Sequence, residues 1–508
     1  MSVGRSLLAA VLVVSPVAAQ RPAALPRPLR GFDAYVVAAL RDWDVPGLSI
    51  AVVKDDSVVL ARGFGVRRMG DTARVTERTL FAIASCTKAF TAAALAMLVD
   101  SGKVAWDDPV SKYLAGFQLS DPYVTRELTV RDLLTHRSGL ARGDGLWWAT
   151  RYNRDEILRR VRFLKPSWSF RSRYGYQNIM FLAAGQIVPA VAGLSWDDFV
   201  RRRIFTPLGM TASNTSVAQV PAGGDVATPH EHFQGVMRAI SWRNVDNVGP
   251  AGSINSNAID MAQWIRLQLG DGVYRGQRLV SEAAVKEMRS PQTVIPLDSI
   301  TERLRPSTHF QAYGLGWALS DYRGRKLVAH GGALDGMRSI VMLVPEERLG
   351  IVLLSNGGEA GRLLTAAVAM RVVDSYLGAP VGDWSANYLP VYRNGLARDR
   401  ADQAKQDSTH VSGTKPSLDL ARYAGTYRSE MYGDVTVTAD SGRLVLGFGP
   451  FLVADLAHWH FDTFKATWRD PEAGTDLVTF TLDADGKVDH LTWPGQGDFA
   501  RVAADTTK

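Results

Sequence analysis

Phe81-Ala82-Ile83-Ala84-Ser85-Cys86-Thr87-Lys88 runs without a break into Ala89-Phe90-Thr91-Ala92-Ala93-Ala94-Leu95-Ala96-Met97-Leu98. A helix beginning at or near Ser85 places Ser85 and Lys88 one turn apart on the same face. The remainder is almost wholly apolar, which predicts a buried central helix rather than a surface one. An ammonium buried there loses hydration, so its pKa falls and the amine becomes available as a base. The positive helix end favours a developing oxyanion beside Ser85. Alone, Ser-x-x-Lys is weak, because a Ser N-cap followed by a solvated Lys spells the same letters.

Outward from this stretch lie two further polar groups against apolar elements. Tyr174-Gly175-Tyr176-Gln177-Asn178 precedes an apolar helix over 179–188, and His330-Gly331-Gly332-Ala333 follows a strand over 326–329. Residues 32–43 read as an amphipathic helix, and 48–53 with 57–66 as a hairpin about Lys54-Asp55-Asp56. A helical half follows from 89 to about 269. Strand patterns return at 314–317, 327–329, 339–344 and 349–355, and a helix over 361–377 closes the section. Strands at both ends with helices between them predict one α+β domain over 30–378. Residues 379–417 turn polar and read as a partly helical connector. Over 418–505, short β-like runs alternate with turns about every ten residues, which predicts a small all-β module.

Ser85-Cys86-Thr87-Lys88, Tyr176-Gln177-Asn178 and His330-Gly331-Gly332 follow the order Ser-x-x-Lys, Tyr-x-Asn, Lys/His-x-Gly. In this the sequence resembles the serine β-lactamase and penicillin-binding superfamily, specifically its class C-like serine hydrolases. Val45-Pro46-Gly47-Leu48-Ser49-Ile50, Leu133-Leu134-Thr135-His136-Arg137-Ser138-Gly139-Leu140, Phe205-Thr206-Pro207-Leu208-Gly209-Met210 and Tyr313-Gly314-Leu315-Gly316-Trp317 extend the resemblance. It covers roughly residues 30–375. It implies an antiparallel sheet flanked by helices with an all-helical lobe. Tyr423-Ala424-Gly425-Thr426-Tyr427 and the stretch around His458 resemble the small lipocalin-like β-barrel module on some of these hydrolases, implying a possible homo-oligomer through it.

The resemblance also implies roles. Ser85 attacks a carbonyl, while Lys88 and Tyr176 share its proton. Tyr176 then protonates the leaving group, and Asn178 hydrogen-bonds Lys88 or the substrate amide. The backbone N–H groups of Ser85 and Ala333 form the oxyanion hole. His330 brings its ring near Tyr176 and the substrate, and Gly331 and Gly332 leave room along the strand edge. Two departures stand out. His330 replaces the Lys of penicillin-targeting members and lacks its fixed charge, and Gln177 is bulkier than the residue common in its slot. The expectation is therefore an exported hydrolase of amide or ester bonds favouring D-amino-acid-containing peptides. Its alternatives are an esterase or weak β-lactamase of the same fold, and a non-catalytic penicillin-binding or sensor protein.

The ends and the composition bound the rest. Residues 1–19 carry Arg5, an apolar run over 7–14 and small residues up to Ala19. This is the layout of a secretory signal cleaved after Ala19, giving a secreted or periplasmic protein with no transmembrane segment afterwards. The formal charge of +7, from 58 Lys+Arg against 51 Asp+Glu, contains no basic run suited to nucleic acid. Arg159-Arg160 with Arg162, and Arg201-Arg202-Arg203, read as solvated helix faces. The single Cys86 excludes intrachain disulfides and a cysteine-clustered zinc site. No cofactor or metal is expected, and the ligand is a small molecule or short peptide. His136 is expected to hold loop backbone, and His458 with His460 to share one strand face.

Overall fold

Apolar residues at successive positions of two neighbouring strands set the layering. The computed structural model describes residues 25–440 and 442–503; the expected signal at 1–19 lies outside them. α1 (Phe32–Asp42) leads into β1 (Gly47–Lys54) and β2 (Ser57–Gly65), followed by α2 (Thr87–Asp100), α3 (Asn178–Ala192) and α4 (Ala258–Leu269). Then come β3 (Thr293–Ile295), β4 (Gln311–Tyr313), β5 (Ala318–Tyr322), β6 (Arg325–Leu334), β7 (Met337–Val344), β8 (Leu349–Ser355) and α5 (Gly358–Leu377). These eight strands form one antiparallel sheet in the order β2-β1-β8-β7-β6-β5-β4-β3.

In β1, Ala51 and Val53 face a core shared with α2, α3 and α4. Leu48, Ile50 and Val52 face a second core shared with α1 and α5. Period-two alternation thus feeds both layers from one strand, and each fully buried aliphatic side chain contributes about 1.5–3 kcal/mol. α2 is buried from Thr87 through Leu98, as its composition requires. Among the described residues no single helix is long and apolar enough to cross a membrane.

Several elements differ from the sequence expectation. Gly314-Leu315-Gly316-Trp317 is a turn between β4 and β5, closed by the Gly314 N–H on the Trp317 carbonyl. Gly316 adopts φ +76°, and a Cβ there would lie 2.8 Å from the Lys88 carbonyl oxygen, so only glycine lets the turn rest on α2. His330 to Ala333 lie inside β6 rather than after it. The connector is mostly one long helix, α6 (Trp384–Ser408), whose first turns are packed: Trp384 Nε1 donates to Asp374 Oδ2 at 2.7 Å and Tyr392 stacks on Trp43.

The C-terminal module is a closed eight-stranded antiparallel barrel. Its strands are β9 (Gly425–Ser429), β10 (Gly433–Asp440), β11 (Arg443–Phe448), β12 (Leu452–His460), β13 (Thr463–Trp468), β14 (Thr475–Leu482), β15 (Val488–Trp493) and β16 (Gly497–Arg501). β16 returns to β9 through Tyr427↔Arg501 and Arg428↔Ala500. A bulge between His458 and His460 shifts the register, so strict alternation fails there. Arg160 is not on a solvated face. Its Nη1 donates to the Glu430 and Met431 carbonyls, docking the barrel onto the hydrolase-like domain, while Tyr152 Oη donates to the Tyr432 carbonyl at 2.7 Å.

Candidate active site

Ser85 sits in a single 3-10 turn, Ala84–Cys86, that runs directly into α2. Ala84 has φ +45°, a left-handed conformation that a side chain disfavours. The sharp bend leaves Ser85 half-buried at a cleft while Lys88, one turn on, is fully buried. Lys88 Nζ lies 3.0 Å from Ser85 Oγ, 2.8 Å from Asn178 Oδ1 and 2.9 Å from the Ala251 carbonyl oxygen. Burial, helped by the nearby Arg142 charge, holds its pKa well below the usual lysine value. Asn178 Oδ1 and the Ala251 carbonyl can only accept. A neutral amine therefore spends both N–H donors on them and turns its lone pair towards the Ser85 hydroxyl.

Tyr176 precedes α3 and lies with its ring centroid 4.8 Å from Lys88 Nζ and its hydroxyl hydrogen-bonded to Ser85. Desolvation pushes the phenol pKa up, and the Ser85 bond and Arg142 only partly oppose this, so the resting group is protonated. His136 holds the backbone of this segment: its Nδ1 accepts the Gln177 N–H at 3.0 Å, and its ring packs 4.2 Å from that of Tyr176. The long Gln177 side chain turns away from the cleft to bond the Ala141 carbonyl and the Ile179 N–H.

β6 forms the opposite wall. Its ladder with β5 stops at Ala318↔Ala329, so the edge of residues 330–334 on that side is free of strand partners. Gly331 and Ala333 are exposed and line the cleft. The two glycines differ in kind. A Cβ at Gly331 meets nothing closer than 3.8 Å, whereas one at Gly332 would lie 2.2 Å from the Ile83 carbonyl oxygen and Ser339 Oγ. Gly332 therefore serves strand packing, and only Gly331 leaves open space. His330 is buried beneath, with Nδ1 2.7 Å from the Gly331 carbonyl oxygen and Nε2 2.7 Å from Tyr313 Oη. The carbonyl requires the proton on Nδ1, so Nε2 accepts from Tyr313. Both ring nitrogens are thereby engaged within the protein. Burial and Lys88 lower the His330 pKa to about 3. Cys86 Sγ is core, 3.1 Å from both the His330 carbonyl oxygen and Ser339 Oγ.

Together Ser85, Tyr176, Asn178, His330, Gly331, Gly332 and Ala333 line one cavity of about 480 Å³, with Lys88 buried behind Ser85. Trp147 and Arg142 line it too. Sequence reasoning passed over Asp144, whose Oδ1 accepts from Asn178 Nδ2 at 3.1 Å and Trp147 Nε1 at 2.8 Å, and whose Oδ2 pairs with Arg142 Nε. Opposite charges two residues apart in a Gly-rich loop between the first two motifs were the available signal. It also passed over a bridge at the rim. Arg243 donates to Asp335, just beyond β6, and to Asp470 of the barrel, each at 2.6 Å. Among the described residues no three His, Cys, Asp or Glu side chains converge to hold a metal.

Comparison with known proteins agrees with this geometry. Residues 32–375 match the Beta-lactamase family, and residues 409–507 match a domain of unknown function, DUF3471. An unguisins hydrolase of Aspergillus campestris is 29% identical over 431 residues, covering 82% of this chain and 78% of its own. Penicillin-binding protein 4 of Amycolatopsis lactamdurans is 32% identical over 64% of this chain and 85% of its own. Among solved structures, the octameric penicillin-binding protein homologue of Pyrococcus abyssi superposes with TM-score 0.62 at 23% identity, covering 93% of this chain and all of its own. The D-amino acid amidase of Ochrobactrum anthropi, complexed with L-phenylalanine amide, superposes with TM-score 0.54 at 25% identity, covering 68% and 97%. A cleft of this shape, on a match spanning the whole first domain, makes the chain a member of the beta-lactamase family of penicillin-binding-protein-like serine hydrolases.

Proposed function

We propose that the protein is an exported serine hydrolase that cleaves amide bonds, and esters next, through an acyl-enzyme on Ser85. D-amino-acid-containing peptides are the favoured substrates. The observation that carries this reading is the Lys88 amine, buried, 3.0 Å from Ser85 Oγ and with both N–H donors committed elsewhere. Such an amine takes the Ser85 proton as Oγ bonds to the carbonyl carbon. The oxyanion forms against the backbone N–H groups of Ser85 and Ala333. Tyr176, protonated at rest, gives its proton to the leaving nitrogen and takes in its place the proton that Lys88 gained from Ser85. Water then attacks the acyl-enzyme with the same groups acting in reverse. Asn178 keeps Lys88 aimed, and Gly331 leaves the β6 edge open to an extended substrate.

Amide cleavage is favoured because relatives are described as an unguisins hydrolase and a D-amino acid amidase. Export rests on residues 1–19, and assembly through the barrel on the octameric Pyrococcus homologue. Neutral His330 argues against a specialised β-lactamase. The test is a turnover panel of D-peptides, p-nitrophenyl esters and a chromogenic cephalosporin, run beside Ser85→Ala, with mass spectrometry for an acyl adduct on Ser85. Turnover that survives intact in Ser85→Ala overturns the reading. Sedimentation velocity and cell fractionation test assembly and export.

A further inference from the structure

His136 commits two acceptors to the residues on either side of Tyr176. Its backbone carbonyl accepts the Gly175 N–H at 2.8 Å, and its Nδ1 accepts the Gln177 N–H at 3.0 Å. One residue thus grips the chain immediately before and immediately after the phenol that bonds Ser85. The imidazole is fully buried among four rings, with centroids 4.2 Å from Tyr176, 4.5 Å from Tyr313, 5.2 Å from Phe181 and 5.5 Å from Tyr174. The loop that carries it is itself anchored. The Thr135 carbonyl accepts from Thr293 Oγ1 and the Arg137 carbonyl from the Arg171 N–H, each at 2.8 Å. His136 holds φ +55°, a left-handed backbone that His and Asn adopt more readily than most side chains.

Because Nδ1 accepts, the single proton of the neutral ring sits on Nε2. That nitrogen is buried with no hydrogen-bond partner among the described residues. Burial, helped by neighbouring Lys88, His330 and Arg142, keeps the ring from taking up a second proton. A stranded buried donor costs about 1–3 kcal/mol, so something must offset it. Phe would fill the same aromatic box without that cost, but would leave the Gln177 N–H unpaired. Asn would accept that N–H, but would remove the ring beneath Tyr176. Of the three, the imidazole alone supplies both the acceptor and the ring. We propose that His136 is the positioning residue for Tyr176, holding its hydroxyl against Ser85 for proton delivery to the leaving group. The proposal rests on the Ser85 acyl-enzyme reading. His136 acts through Tyr176, so its loss should be felt where the Tyr176 proton is needed.

The experiment compares a D-amino acid amide with the p-nitrophenyl ester of the same acyl group. It uses the wild type, His136→Phe, His136→Asn, Tyr176→Phe and the double variant of Tyr176→Phe with His136→Phe. An amine must be protonated to leave, whereas p-nitrophenolate leaves as the anion. In His136→Phe, kcat/KM for the amide should fall about tenfold or more beyond the loss on the ester, as for a displaced proton donor. In the Tyr176→Phe background the same substitution should add nothing to that difference. His136→Asn, which keeps an acceptor, should recover part of it. Equal losses on amide and ester, or a further full-sized difference in the double variant, overturn the proposal and make His136 a packing residue. Should His136→Phe not fold, His136→Asn carries the same comparison, with a smaller difference expected and equal losses again overturning the proposal. On the wild type, 15N-histidine NMR gives a readout independent of turnover. The signals missing from His136→Asn should report a neutral ring protonated at Nε2 between pH 5 and 8; a proton on Nδ1 overturns the clamp. Absence of an acyl adduct on Ser85 overturns the hydrolase reading instead, while the NMR result still decides the clamp.

Discussion

Tyr313 donates its hydroxyl to His330 Nε2 at 2.7 Å, from the strand two positions across the sheet. Burial holds the imidazole neutral, with its pKa lowered from 6.5 to about 3, and the bond to the Gly331 carbonyl opposes this only partly. Activity should therefore show no His330 ionisation between pH 5 and about 8. Because the folded pKa lies below the unfolded value, the His330 contribution to stability is complete above about pH 6.5 and is lost as the pH falls towards 3. Tyr313→Phe leaves a buried acceptor unpaired, so a loss of about 1–3 kcal/mol of stability is expected. Thermal melts at pH 5 and 8, with a pH–rate profile, check both statements.

Lys88→Met keeps the length of the side chain and removes the amine. We expect a fall in kcat of about 100-fold or more, the usual scale for a lost general base. The melting temperature should be unchanged or higher, because a buried amine with a lowered pKa costs stability. Lys88 is favoured neutral in the fold, so its contribution declines as the pH drops below 10.5, where the unfolded lysine binds a proton that the folded amine does not. Turnover should fall on the acid side, once the folded amine is itself protonated and can no longer act as a base. Tyr176→Phe should reduce leaving-group departure most for amides and least for activated esters, which the same substrate panel would show.

The paired glycines of β6 should respond differently to one methyl group. Gly332→Ala drives a Cβ to 2.2 Å from the Ile83 carbonyl and Ser339 Oγ, and a loss of about 1–3 kcal/mol is expected. Gly331→Ala meets open space, so it should melt like the wild type while raising KM for extended substrates. Denaturant titration and kinetics separate the two outcomes.

Asp470→Ala removes the barrel's hold on Arg243 and hence on the turn after β6. It should lower kcat/KM several-fold, whereas Tyr152→Phe, which cuts a domain contact at Tyr432, should mainly lower the melting temperature. Glu472 lies in the same seam, its pKa raised from 4.5 to about 7 by burial and by Asp335, Glu231 and Asp470. A raised folded pKa means stability that is complete below about 4.5 and declines as the pH rises through 7. Glu472→Gln should therefore raise the melting temperature at pH 8 and have little effect at pH 4.

The elements most legible from sequence were those whose composition forces burial on every side. α2 and α3 have no polar face to leave in water, and β1 and β8 have no alternation to leave one face exposed. Gly314 to Trp317 misled because aromatic and aliphatic letters suggest a strand, while Gly316 is there to bring a turn against Lys88. Two barrel strands give no readable strand signal in the sequence, since β12 ends in a bulge at His458-Trp459-His460 and β16 is short and carries Gly497 and Asp498.

By itself the sequence determined the α+β organisation, the trailing β module and the motifs that meet at the cleft, because burial patterns and short spacings are local properties. Only the tertiary structure decided which polar groups spend their hydrogen bonds on one another. The Lys88 lone pair, the His330 tautomer, the saturation of Asp144 and the reach of Asp470 to Arg243 depend on contacts between residues tens to hundreds of positions apart. Those contacts exist only once the sheet, the helical lobe and the barrel have packed.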